Sequence, residues 1–252
     1  MLDQIVDSCN YLLHHFPDAE PCRDYLNSRV NQESQERFGF GYFPSVNNLQ
    51  VLTDLVGEHY LQNNHLIYSK MIEDSLGPRS VNFCYFEDYP LIIPFRDTYG
   101  RVAGLIGRTL LNESERSAKG ISKYKYTKDF KKNQFLFGLY ENKKDIIEQN
   151  CVYIVEGQFD VIKAVEKGFK NIVGLGTSSM SSYQFAILSR YTNNFFLLLD
   201  NDSAGEKGRK MITNKFGEFA NIQNFYLPDP YKDIDDYFSL SGEGTISLLV
   251  KD

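Results

Sequence analysis

Three acidic clusters, each set behind a short apolar run, hold the residues best suited to chemistry. Glu156-Gly157-Gln158-Phe159-Asp160 follows Val152-Tyr153-Ile154-Val155. Asp200-Asn201-Asp202 follows Phe195-Phe196-Leu197-Leu198-Leu199, and Asp233-Ile234-Asp235-Asp236 lies beyond Asn224-Phe225-Tyr226-Leu227. Gathered carboxylates repel one another unless a cation or a shared proton compensates. With oxygen donors only, no histidine nearby and no cysteine pair, the expected ion is magnesium or manganese. Asp200 and Asp202 sit two apart in extended chain, so both point the same way, and Asp160 lies one helical turn beyond Glu156.

The elements that must position these acids are short strands alternating with helices. The apolar runs predict strands over 152–155, 171–175, 195–199 and 223–227, with helices over 158–167, 181–190 and 204–216. Such alternation predicts a parallel α/β sheet of buried strands. Carboxylates at the ends of neighbouring parallel strands converge in the crevice where such sheets bind ligands.

A chain of 252 residues with 42% hydrophobic content is long enough for one large or two small domains around a sizeable core. It has no apolar tract of membrane-spanning length, and Met1-Leu2-Asp3-Gln4 lacks the basic start of a secretory leader, so a cytoplasmic protein is expected. Cys9, Cys22, Cys84 and Cys151 lie far apart, which predicts buried free thiols rather than a zinc ribbon or a disulfide framework. His14-His15 reads as helix surface. The net charge of −6 is unlike that of most nucleic-acid binders, but its distribution is uneven. Arg116, Lys119, Lys123, Lys125, Lys128, Lys131 and Lys132 crowd one polar stretch, against Asp129 and the flanking Glu113 and Glu115. A basic segment beside an acidic cluster suits a substrate built of phosphates.

Ahead of the acids, Ile5, Cys9, Leu12, Leu13 and Phe16 predict a helix over 3–16 that Pro17 stops, and a second helix opens at Pro21. Leu49, Leu52, Leu55 and Val56 continue the helical pattern towards an aromatic strand over 83–86. Residues 91–95 and 101–108 predict a hairpin around Arg96-Asp97-Thr98-Tyr99-Gly100. Residues 112–134 lack periodicity and predict a loop, and residues 244–250 a short helix. Asp229 and Asp236 are expected as caps of a helix after the third cluster.

Val155-Glu156-Gly157-x-x-Asp160-Val161, the turn Gly174-Leu175-Gly176-Thr177, and Asp200-x-Asp202-x-Ala204-Gly205 together resemble the Toprim domain shared by DnaG-type primases, topoisomerases and some nucleases. Asp24-Tyr25-Leu26-Asn27-Ser28-Arg29, the stretch 36–44, the hairpin 91–108 with Arg108, and Lys123-Tyr124 are similar to the catalytic core of the primases alone. Phe137-Gly138-Leu139-Tyr140-Glu141 resembles that family's link into the Toprim domain, and Leu227-Pro228 through Asp233-x-Asp235 its last acidic loop. Two departures stand out: Tyr126 replaces an expected asparagine, whose role is not transferred, and Ile234 replaces a proline.

The resemblance implies an α/β Toprim parallel sheet flanked by helices over 150–252, preceded by a mixed α+β primase N-terminal subdomain with a basic loop over 1–149. It implies a phage- or mobile-element-like DNA primase that makes short RNA primers on single-stranded DNA by metal-dependent nucleotidyl transfer. Glu156, Asp200 and Asp202 would be catalytic and would hold Mg²⁺ or Mn²⁺, with Asp160, Asp233 and Asp235 completing the shell. Glu156 serves as base or ligand on this reading. Arg29, Arg108, Lys123 and Lys132 would bind ribonucleoside triphosphates or template. The bland readings are a solvated helix-end arginine for Arg29, an edge-strand gatekeeper for Arg108, and a solvated face for Lys119, Lys125 and Lys128. A Toprim nuclease or a non-catalytic nucleic-acid-binding replication subunit is the alternative, and a topoisomerase lacks its nucleophilic tyrosine domain here. On this reading no zinc module is expected ahead of the matched stretch and no helicase-binding region behind it. Expected partners are therefore a replicative helicase and a separate zinc-bearing template-selection protein.

Overall fold

The computed structural model describes residues 2–74, 77–240 and 249–250. The chain divides into two compact units, Met1–Phe95 with Arg101–Phe130, and Arg96–Gly100 with Lys131–Asp252.

The first unit opens with α1 (Leu2–His15), whose Ile5, Val6, Cys9, Leu12 and Leu13 are buried while His14 and His15 face solvent. Next come α2 (Glu20–Arg29) and α3 (Gln32–Phe38). Asn31 caps α3 by accepting the Ser34 N–H at 2.8 Å, and Gly39 closes it at φ 67°. After β1 (Gly41–Tyr42) the chain forms α4 (Leu49–Val56) and α5 (Glu58–Asn63). It then runs through β2 (Ile67–Asp74), β3 (Gly77–Cys84), β4 (Leu91–Arg96) and β5 (Val102–Arg108), and on to α6 (Glu113–Lys119) and β6 (Tyr124–Tyr126). Four strands make a sheet in the order β1-β4-β5-β6, and β2 pairs β3 separately from Ile67↔Cys84 to Asp74↔Gly77.

The strand expected over 83–86 is met at Phe83 and Cys84 by the end of β3, while one element of this unit and one expectation for it depart from the sequence reading. The β2–β3 hairpin was not foreseen because β3 is mostly exposed and shows no apolar alternation; cross-strand pairs such as Tyr68 on Phe83, with ring centroids 5.4 Å apart, mark it instead. The loop expected over 112–134 contains both α6 and β6. Helix α6 buries nothing, so it has no apolar stripe to read. A reciprocal cap makes it: the Glu115 N–H donates to Asn112 Oδ1 at 3.0 Å, and the Asn112 N–H to Glu115 Oε2 at 2.7 Å. Strand β6 pairs with β5, which places Arg108 on an interior strand and removes the gatekeeper reading.

The second unit alternates α7 (Leu139–Gln149), β7 (Val152–Val155), α8 (Gln158–Glu166), β8 (Ile172–Gly174), α9 (Ser182–Leu188), β9 (Asn194–Leu197), α10 (Ser203–Phe216), β10 (Asn221–Tyr226), α11 (Ile234–Leu240) and β11 (Leu249–Val250). The order is β11-β10-β9-β7-β8, with β8, β7, β9 and β10 parallel and β11 antiparallel. Val152, Ile154, Val173, Phe195 and Leu197 from the sheet pack with Leu188, Ile212 and Phe216 from the helices. Each such side chain contributes about 1.5–3 kcal/mol on burial. β10 departs from the expected buried strand: its residues are half-buried or exposed. Of the helix expected over 244–250, residues 244–248 lie outside those described, while Leu249-Val250 form a strand against Phe225 and Tyr226. All four cysteines are free, with Cys151 half-buried and the others buried. Among the described residues no helix is long and apolar enough to cross a membrane.

Candidate active site

The acids of the second unit stand where the strands end. β7 delivers Glu156 into the turn before α8, and the Gly176 N–H donates to the Glu156 carbonyl at 2.9 Å, which anchors that turn to the segment after β8. Glu156 Oε1 is buried without a hydrogen-bond partner. Burial, with Asp200 alongside, pushes the Glu156 carboxyl up to about 6, although it accepts the Asp200 N–H. Asp160 accepts the Gly157 N–H on Oδ2 at 3.1 Å and the Asp235 N–H on Oδ1 at 3.2 Å. It thereby bridges the first cluster to the third. Burial first, then the charges of Asp233 and Asp200, raises its carboxyl to about 7.

The second cluster is held from behind by Arg209, which sequence reading missed. This buried guanidinium donates to the Asp200 carbonyl at 3.2 Å and to the Leu199 carbonyl, and lies 4.2 Å from the centre of the Tyr226 ring. Its only outward sign in the sequence is an arginine on the core face of α10. A Cβ at Gly205 would lie 2.0 Å from the Asp200 carbonyl oxygen, so α10 approaches this turn as only glycine permits. Asp202 caps α10, accepting the Ala204 and Gly205 N–H groups at 2.9 and 3.0 Å. Those bonds, the one from Gly205 foremost, hold its carboxyl below the usual range. Burial raises that of Asp200.

Asn201 points away from its two neighbours. Its amide donates to the Leu227 and Tyr231 carbonyls at 2.9 and 3.1 Å, and its own N–H to the Lys232 carbonyl at 2.7 Å. These bonds dock the 227–232 loop and bring in Lys232, also missed in the sequence, 3.4 Å from both Asp200 Oδ2 and Asp202 Oδ2. Burial works against that ammonium, but the two aspartates hold its pKa above the usual value. The helix cap expected from Asp229 or Asp236 is Asp233, which accepts the Asp236 N–H at 2.8 Å. Burial is also the main cause of the raised Asp233 carboxyl.

Among the described residues no three His, Cys, Asp or Glu side chains form a ready ligand set, and the Lys232 ammonium lies between Asp200 and Asp202. The donors nonetheless fit a hard divalent cation. They are carboxylates only, one buried oxygen of Glu156 is orphaned, and burial and mutual charge raise four of the acids, Glu156, Asp160, Asp200 and Asp233.

Of the expected basic residues, Arg29, Arg108 and Lys123 belong to the first unit. Arg108 is buried, donates to the Tyr124 hydroxyl at 2.7 Å, and lies 4.8 Å from the Tyr25 ring centre, with Arg29 at 5.7 Å from the same ring. Lys123 lies 5.6 Å from the Tyr124 ring centre. Lys132 belongs to the second unit, in the turn Lys132–Gln134. The solvated-face reading fails for Lys125, which is half-buried and donates to the Tyr85 carbonyl at 2.6 Å. Lys119 stays exposed and pairs with Asp88 at 2.6 Å.

A family model described as DNA primase catalytic core, N-terminal domain, matches residues 10–143, more than half of the chain. The chain belongs to the DNA primase catalytic core family. A second model, described as Toprim-like, matches residues 153–238 of this primase core and so spans all three acidic clusters. The DNA primase of Aquifex aeolicus is 30% identical over 248 residues, covering 96% of this chain and 47% of that protein. The solved zinc-binding and RNA polymerase domains of the Aquifex primase superpose with a TM-score of 0.73 at 29% identity, covering 94% of this chain and 56% of that one. A DnaG primase catalytic domain bound to single-stranded DNA gives 0.71 at 26% identity, covering 96% and 77%. This primase core spans about half, or less, of the length of the curated relatives it matches.

Proposed function

We propose that the chain is the catalytic core of a DNA primase, which joins ribonucleotides on a single-stranded DNA template and releases pyrophosphate. The observation that carries this reading is the meeting of Glu156, Asp200 and Asp202 at the tips of neighbouring parallel strands, in a chain of the primase core family. On this reading residues 150–252 are the catalytic domain and residues 1–149 the subdomain that serves substrate. Glu156, Asp200 and Asp202 hold Mg²⁺ or Mn²⁺, which when bound neutralises the carboxylates and the phosphates of the incoming nucleotide. Glu156, with its carboxyl pushed up to about 6, is also suited to take the proton of the attacking hydroxyl. Asp160 and Asp233 brace the turns through backbone N–H groups, and Asp235 faces the same cluster.

Arg29, Arg108, Lys123 and Lys132 hold triphosphate or template backbone by charge-assisted contacts. The relative solved on single-stranded DNA supports the same template class here. A replicative helicase and a zinc-bearing template-selection protein complete the set of partners, in the cytoplasm. The decisive experiment incubates the purified chain with single-stranded templates and labelled ribonucleotides, with and without manganese. Template-dependent oligoribonucleotides that vanish in Asp200→Asn support the reading. Cleaved template without synthesis would replace it with a nuclease.

A further inference from the structure

A cavity of about 540 Å³ opens in the first unit between the β2–β3 hairpin and β6. Its wall includes Tyr68, Tyr85, His65, Lys125 and Lys128, and among the described residues no carboxylate lines it. Successive side chains of a strand point to opposite faces, so Lys125 leaves β6 on the face opposite to Tyr124 and its partner Arg108. This cavity is therefore separate from the cluster of Arg108, Tyr25 and Tyr124. Lys125 is held in place: it donates to the Tyr85 carbonyl at 2.6 Å and lies 4.1 Å from the centre of the Tyr85 ring. Burial pulls its ammonium below its usual pKa, as befits a cation with a charge still to be met. Asp88, whose charge acts on it, is engaged at 2.6 Å by Lys119.

Tyr68 supplies the opposite chemistry. Its ring stacks on Phe83 at an interplanar angle of 9°, with the Lys70 ammonium 5.4 Å from its centre, and the residue stays 41% exposed where the cavity meets solvent. A second cavity of about 250 Å³ shares His65 and Lys128 with the first, so the two adjoin. Asp129 lines only this second one and raises the Tyr85 phenol, after burial. A ring to stack on, with two lysines beside it, is the chemistry that grips a base together with its phosphate.

We infer that the Tyr68–Lys125–Lys128 cavity binds a phosphorylated nucleoside unit, with the base against Tyr68 and the phosphate between the two lysines. The unit is either a free nucleotide or one residue of a single strand. The adjoining cavity gives a strand somewhere to continue past Lys128. The inference does not depend on the acidic site being a polymerase, because binding alone tests it.

Calorimetric titration of the whole chain with ATP and with a twelve-nucleotide oligothymidylate, in a metal-free buffer, distinguishes the two sources. Tyr68→Ala and Lys128→Glu both alter solvent-facing groups, and unchanged melting curves will certify their fold. Each is expected to weaken at least one of the two ligands by about fivefold or more. If the strand is the ligand, Lys128→Glu should also lower the salt slope of its binding by roughly 0.7 for each phosphate no longer neutralised. Weakened binding of the oligonucleotide alone identifies a strand track, and weakened binding of ATP identifies a nucleotide pocket. Wild-type affinity for both ligands in both variants overturns the inference, whatever the outcome of primer synthesis.

Discussion

Arg209→Met tests whether the second acidic turn is built from behind. The guanidinium donates to the carbonyls of Leu199 and Asp200, and both lose a charged donor in the variant. Hydrogen bonds to charged groups contribute about 1.5–3 kcal/mol each. Removing a buried cation returns part of that sum, because its desolvation cost disappears too. Methionine keeps an apolar stem but loses the guanidinium that lies over the Tyr226 ring, so the expected net loss is about 3 kcal/mol. For a chain of this size that is a fall in melting temperature of roughly 6–12 °C. The rise in melting temperature on adding magnesium should shrink as well, since the group that fixes the Asp200 backbone is gone. Arg209→Lys keeps the charge but not the fork, and should fall between methionine and wild type. Scanning calorimetry with and without magnesium measures all of this. An Arg209→Met protein that melts within about 1 °C of wild type and keeps the full magnesium shift would refute the argument.

Three further outcomes are expected. Asp200→Asn and Asp202→Asn should each abolish primer synthesis; without metal Asp200→Asn should melt as wild type or higher, because burial already disfavours that charge, whereas Asp202→Asn should melt somewhat lower, because the α10 cap bonds and Lys232 stabilise its carboxylate; full synthesis by either would remove it from the metal site. Lys232→Ala should lower metal-free melting by up to about 4 °C yet enlarge the magnesium-induced rise, since the ammonium between Asp200 and Asp202 competes with the ion; an unchanged rise would show that it does not compete. Gly208→Ala puts a Cβ 2.2 Å from the Ser178 carbonyl oxygen and should cost about 1–3 kcal/mol in a denaturation curve; a neutral result would mean that α10 shifts freely.

Sequence patterns carry the second unit well, because its strands are short apolar runs ended by acids and glycines. β7 over Val152–Val155 coincides with the expected strand, and α10 over Ser203–Phe216 begins one residue before the expected start. The site's own supports were less legible. Lys232 looks like an ordinary surface cation in the bare sequence, and the charge of Arg209 hides its place on the core face of α10; only tertiary approach shows one between two carboxylates and the other buried. Asp233 rather than Asp229 or Asp236 caps α11, a choice made by where the 227–232 loop docks and not by residue type. In the first unit, α6 depends on an Asn112–Glu115 cap within a stretch that otherwise reads as charged and aperiodic. That signal was present in the sequence, and the absence of an apolar stripe outweighed it.

Asn201 makes the motif around it indivisible for an engineer. The residue between the two aspartates is a fastener rather than a spacer: it joins a turn of two-residue reach to a loop some thirty positions later. Anyone grafting this acidic pair onto another parallel sheet would have to carry Asn201 and the whole 227–232 loop as one cassette. The borrowed aspartates would otherwise arrive without Lys232, as an unbalanced pair of charges that the host fold would have to tolerate until an ion came.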